Sequence, residues 1–134
     1  MKAITLLSPW AWAIIHAGKD VENRTWTTGH RGTIWVHAGL REDETAQATP
    51  AILSAMANAS AHFLRHMDLR GYVLGTVQIA RAHHANDCRK PDGTLCSPWA
   101  LPDMHHWELV NPVPFACPFP ERGKQGLWEA PVNQ

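Results

Sequence analysis

The chain has 134 residues, 45% apolar and 18% charged, a composition for one globular domain spanning 1–134 and not for a disordered tail. Its 12 basic and 12 acidic side chains cancel, which argues against a protein that grips extended duplex DNA by bulk charge. The longest apolar run, Ile4 to Ala17, is interrupted by Ser8, Pro9 and His16, is too short to span a bilayer and lacks the features of a secretory signal, so a cytoplasmic protein with no membrane partner is expected.

Ala3 to Leu7 reads as a short buried strand. Ser8-Pro9 reads as a helix start, with Ser8 as cap and Pro9 at the first helical position, and Gly18 as the stop. This helix is apolar nearly all round and must be covered on most sides. Val21–Trp26 and Thr33–Ala38 read as strands on either side of a turn. After a polar loop from Gly39, Thr49-Pro50 opens a second helix running to about His66, with Ile52, Met56, Ala59 and Phe63 on one face. Gly71–Ala82 is a long strand, and Asn86–Pro102 an irregular loop long enough to suspect a lid or binding loop. His105–Val110 is a strand candidate. Asn111–Arg122 holds four prolines and is excluded as a regular internal strand, and Leu127–Glu129 is the last strand. The order suggests an α+β fold, a small curled sheet or β-barrel with two main helices.

The cysteines Cys88, Cys96 and Cys117 are odd in number and form no disulfide framework. Cys88 and Cys96 are separated by seven residues, whereas zinc pairs are separated by two to four, and of the adjacent His83 and His84 only one can face a shared site. Free buried thiols are therefore expected, with structural zinc or a Cys88–Cys96 bridge as the alternatives; no metal and no cofactor enter the reading.

The chemistry concentrates in residues 19–37. Alternate residues of a strand share a face, so Glu22, Arg24 and Trp26 fall together, with Lys19 just ahead of them. A carboxylate accepts from the exocyclic amine of cytosine, an indole stacks on a base, and Lys19, Arg24, Arg31 and Lys124 can neutralise one or two phosphates. The helix start at Ser8 to Trp10 offers free N–H groups to an anion. The plainer alternative is that Glu22 and Arg24 merely pair and brace the sheet, that Trp10, Trp12 and Trp35 are core, and that His37 is a buried, hydrogen-bonded histidine.

Ser8-Pro9-Trp10, then Gly18, Lys19, Glu22, Arg24 and Trp26, then Arg31-Gly32 and the strand ending His37-Ala38 resemble the pattern of the ASCH domain family. His106-Trp107-Glu108-Leu109 and Gly123-Lys124-Gln125-Gly126-Leu127-Trp128 extend the resemblance over nearly the whole chain, and the cysteine-bearing loop departs from the simplest members. The resemblance implies a PUA-like β-barrel with a cleft between the first helix and the barrel, in a family of RNA-related domains. Some small members resemble amidohydrolases of N4-acylated cytidine, and others have been assigned ribonuclease activity. The amidohydrolase members carry a threonine where this chain has Glu22, which removes a hydroxyl nucleophile. Fold alone does not fix the reaction. The expected partner is RNA or a modified nucleoside. The expected ligand-binding residues are Ser8, Trp10, Lys19, Glu22, Arg24, Trp26, Arg31, His37 and Lys124, with Lys19 and Glu22 as the residues that would carry any catalysis. The alternatives are an enzyme acting on nucleic-acid components and a structural or protein-interaction barrel without a ligand.

Overall fold

The structure is a computed structural model that describes residues 1–44 and 49–131, apart from the side chains of His62 and Phe63. The expectation for Phe63 and part of the loop after Gly39 lie outside the described residues. The fold is α+β. In chain order the elements are β1 (Lys2–Ser8), α1 (Trp10–His16), β2 (Val21–Arg24), β3 (Gly32–Glu42), α2 (Pro50–Asn58), α3 (Ala61–His66), β4 (Tyr72–His84), β5 (His105–Pro120) and β6 (Leu127–Glu129). The strands form one mixed sheet in the order β2-β5-β4-β3-β1-β6, with β1 and β3 parallel. None of the described helices is long and apolar enough to cross a membrane.

Three expectations are corrected here. The sheet is not closed into a barrel: β2 and β6 are its outermost strands, of four and three residues. The helices number three among the described residues, not two. α2 ends because Ala59 turns extended, at φ −82° and ψ 147°, and Asn58 Nδ2 takes the Ser54 carbonyl, the kind of local competition that short polar side chains offer a helix. Ser8 does not cap α1. It closes β1, and its hydroxyl donates to the Met67 carbonyl at 3.4 Å.

β5 is the largest surprise. It runs through the proline-rich segment as far as Pro120. The prolines are tolerated because β2 pairs only with His105–Glu108, leaving the second half of β5 as an edge bonded to β4 alone. The ladder slips between Val73 and Gly75, where five steps of β5, from Phe119 to Pro114, match two of β4. At Gly75 the β5 backbone comes so close that an added Cβ would lie 2.2 Å from the Val113 carbonyl oxygen.

The core behaves as the pattern requires. α1 buries Ala11 through Ile15 without a break, and Trp12, Ile14, Ile34, Val36, Leu74, Ile79 and Trp107 meet around it. Gly18 leaves the helix at φ +75°, and the Lys19 N–H returns to the Ala13 carbonyl at 3.0 Å, which aims the Lys19 side chain toward β2.

Candidate functional site

A cleft of about 1250 Å³ opens along β1, β2 and the segment after β5. Trp10, Lys19, Glu22, Arg24, Trp26, His37 and Lys124 all line it; Ser8 and Arg31 do not. The guanidinium of Arg31 is spent on its own turn, donating to the Thr28 and His30 carbonyls.

One wall is charged. Glu22, 8% exposed, lies between two cations: Lys19 Nζ at 3.3 Å from Oε1 and Arg24 Nε at 3.0 Å from Oε2. Lys19 is 4% exposed, also donates to the Val21 carbonyl, and sits 5.6 Å over the Trp10 ring. Burial pushes the Lys19 ammonium below its ordinary range; the carboxylate of Glu22 opposes that shift and is outweighed. Arg24 reaches the Thr5 carbonyl and lies 6.0 Å from the Trp107 ring, and Trp107 packs edge-on against Trp26 at 4.9 Å. Trp26 is 38% exposed, so an aromatic face stands at the mouth with a guanidinium behind it.

A second group in the lining, centred on His37, is uncharged. His37 Nε2 donates to the Glu121 carbonyl at 2.6 Å. Its Nδ1 therefore accepts from the Thr5 hydroxyl at 3.1 Å, and Thr5 accepts from Trp128 Nε1 at 3.0 Å. Every lone pair and proton of the imidazole is used, and burial pushes its pKa down. Gly123 closes over this group, and an added Cβ there would stand 2.6 Å from Thr5 Oγ1 and 2.8 Å from His37 Cε1.

Several lining residues escaped the sequence reading. Asn23, on the far side of β2, donates to the Trp99 carbonyl at 3.0 Å and accepts from the Leu101 N–H at 2.9 Å. It thereby ties the long loop to the cleft, and Pro98, Trp99 and Leu101 form part of its lining. The length of that loop was the available signal; which residues it would present was not readable. Trp10 meets Trp99 edge-on at 6.4 Å and donates to Asp43 at 2.8 Å. Arg41 and Arg122 join Lys19, Arg24 and Lys124 in the lining against Glu22, Asp43 and Glu121, so the cleft is net basic although the chain is neutral.

A second cluster lies behind the cleft, at the far ends of β4 and β5. His83, Cys88, Cys96 and His106 bring one nitrogen or sulfur atom each to within 4.8 Å of one another. Cys96 and Cys117 are exposed, contrary to the expectation of buried thiols. No family model and no curated protein matches the chain.

Proposed function

We propose that the chain is a cytoplasmic ASCH-type, PUA-like domain, here on an open sheet, whose cleft binds a nucleoside or a short stretch of single-stranded RNA. The observation that carries this reading is the group of buried Lys19 and Glu22 with half-buried Arg24, in a cleft whose lining includes the exposed Trp26. A carboxylate has about four acceptor positions; Lys19 takes one, and Arg24 Nε pairs with the other oxygen without a hydrogen bond, leaving capacity for an exocyclic amine. The size of the cleft exceeds the range of about 300–1,000 Å³ typical of small-ligand pockets, in keeping with more than one nucleotide. The local basic excess supplies phosphate contacts without a basic chain.

The test is binding of short single-stranded oligoribonucleotides and of free nucleosides, followed by anisotropy and calorimetry. Trp26→Ala should weaken the RNA complex about tenfold or more through lost stacking. The slope of log K against log salt should be about −0.7 to −1.4, as for one or two phosphates. Equal binding by wild type and Trp26→Ala, or none by either, overturns the reading.

A second reading, hydrolysis of an N4-acylated cytosine nucleoside in the same cleft, is favoured by the lowered Lys19 ammonium, which moves that amine toward the range useful for a general base. It requires release of free cytidine by the wild type and none by Lys19→Met.

A further inference from the structure

The two histidine doublets face each other across the β4–β5 ladder, His83 opposite His106 and His84 opposite His105. Adjacent side chains of a strand point to opposite faces, so the ladder separates them into two pairs. His84 accepts from the Asn86 N–H at 3.1 Å and packs against His105. His83 and His106 meet on the other face, where the chain after β4 returns Cys88 and, after a turn at 90–94, Cys96.

The tautomers of this second pair are set from outside. His106 Nε2 lies 2.7 Å from the Leu101 carbonyl, which only accepts, so that nitrogen carries the proton. His83 Nδ1 lies 3.2 Å from Glu108 Oε2 and donates to that carboxylate. The remaining nitrogens, His106 Nδ1 and His83 Nε2, are then bare in the neutral rings, and they face each other at 3.2 Å. Two lone pairs at that distance repel unless a cation stands between them. The sulfur atoms surround the same point: Cys96 Sγ is 3.4 Å from His83 Nε2 and 3.6 Å from His106 Nδ1, and Cys88 Sγ is 3.6 Å from His106 Nδ1.

These are four of the six edges of a coordination tetrahedron, and all six lie within 4.8 Å. Metal–nitrogen bonds of about 2.05 Å and metal–sulfur bonds of about 2.3 Å give edges near 3.3 Å between nitrogens and about 3.6 Å between nitrogen and sulfur. The outer partners fit as well, because a carboxylate and a backbone carbonyl hold the two imidazoles in the metal-binding tautomer.

We propose that His83 Nε2, Cys88 Sγ, Cys96 Sγ and His106 Nδ1 bind one zinc ion in a closed, structural site. Two thiolates and two neutral imidazoles match the borderline-soft, tetrahedral preference of zinc. Two thiolates also neutralise its charge, which suits a site where His106 is fully buried. With four protein ligands no position is left for water or substrate, so the ion fixes structure and does no chemistry. What it fixes is the loop between β4 and β5. That loop presents Trp99 and Leu101 to the cleft, so the ion stands behind one of its walls. The seven residues between the cysteines form a turn closed by the Lys90 N–H on the Thr94 carbonyl at 2.8 Å, which brings the thiols back together.

The test uses the full chain expressed with zinc. Elemental analysis should give about one zinc per chain. Cobalt(II) in its place should give the intense ligand-field and thiolate charge-transfer bands of a tetrahedral site. Cys96→Ser should lose those bands, and Cys117→Ser should keep them. Chelation should lower the melting midpoint by about 10 °C in the wild type and leave Cys96→Ser unmoved. If the serine variant does not fold, the wild type alone decides: a thiol reagent should modify one cysteine rapidly in the zinc-loaded protein and all three after chelation. Three reactive thiols with no bound metal, or a Cys88–Cys96 disulfide found by mass spectrometry, overturns the proposal.

Discussion

On one wall of the cleft Glu22 stands between two cations; on another, His37 stands between a hydroxyl and a carbonyl. Both groups are buried, but they are held differently. The charged wall is contiguous in the chain, and its stability depends on the count of charges: removing one partner of a buried pair strands the others in low dielectric. The neutral wall is assembled from β1, β3, the segment after β5, and β6, and it depends on fit, because each hydrogen bond contributes only about 1 kcal/mol. The first wall should therefore be sensitive to which charge is removed, and the second to volume and acidity.

The largest effect is expected at Glu22. Glu22→Gln removes the carboxylate that both Lys19 and Arg24 pair with and should cost about 3 kcal/mol or more in urea unfolding. Lys19→Met leaves the Glu22–Arg24 pair intact and removes a cation whose burial is unfavourable, so its change should stay within about 1 kcal/mol. Equal losses from the two variants would mean that the three charges do not act as one group.

Gly123→Ala tests the fit of the other wall. The new methyl meets Thr5 and His37 well inside normal contact, and an overpacked site of this kind should lose about 1–3 kcal/mol, read from the same unfolding curves. A neutral result would show that the 123 segment moves away freely.

The smallest effect is in the pH dependence. The folded His37 has a lowered pKa, so below the ordinary histidine value the unfolded chain binds more protons than the folded one. Stability then falls as pH drops from about 7 through 6.5 toward the folded pKa, with a His37 share below about 1.4 kcal/mol per pH unit. His106 is shifted in the same direction, so the comparison that isolates His37 is wild type against His37→Gln, whose profile should be flatter. Lys19 acts at the other end of the scale: its lowered pKa makes its unfavourable contribution fade as pH rises toward 10.5.

How much of this was legible follows the same division. Lys19, Glu22, Arg24 and Trp26 could be grouped because strand alternation and a short connection act locally, and all four do line one cleft, although β2 ends at Arg24 with Trp26 beyond it, and Asn23, expected on the other face, lines the cleft too. The strands read at 3–7 and 127–129 and the buried first helix were readable as well, because they are short local runs bounded by turn residues. Of the cluster at His83, Cys88, Cys96 and His106, the first three could be weighed together for zinc, but His106 could not be joined to them, because ligand spacing assumes a local turn, whereas here half the ligands come from facing strands whose register no single segment encodes. The prolines of β5 misled because a proline forbids pairing on one side only, and the sequence does not say that the pairing of β5 with β2 would end at Glu108.

The three residues of β6 have a role out of proportion to their length. Pairing Lys2, Ala3 and Ile4 with Glu129, Trp128 and Leu127, they occupy the outer hydrogen-bonding row of β1. A polypeptide ending at Gly126 would leave that row of donors and acceptors open, beside the apolar side chains of the parallel β1–β3 pair, and would invite strand addition from a neighbouring molecule. This short segment thus covers that row of β1, and the same tryptophan that lies on it, Trp128, also supplies the indole proton that orients Thr5 in the cleft.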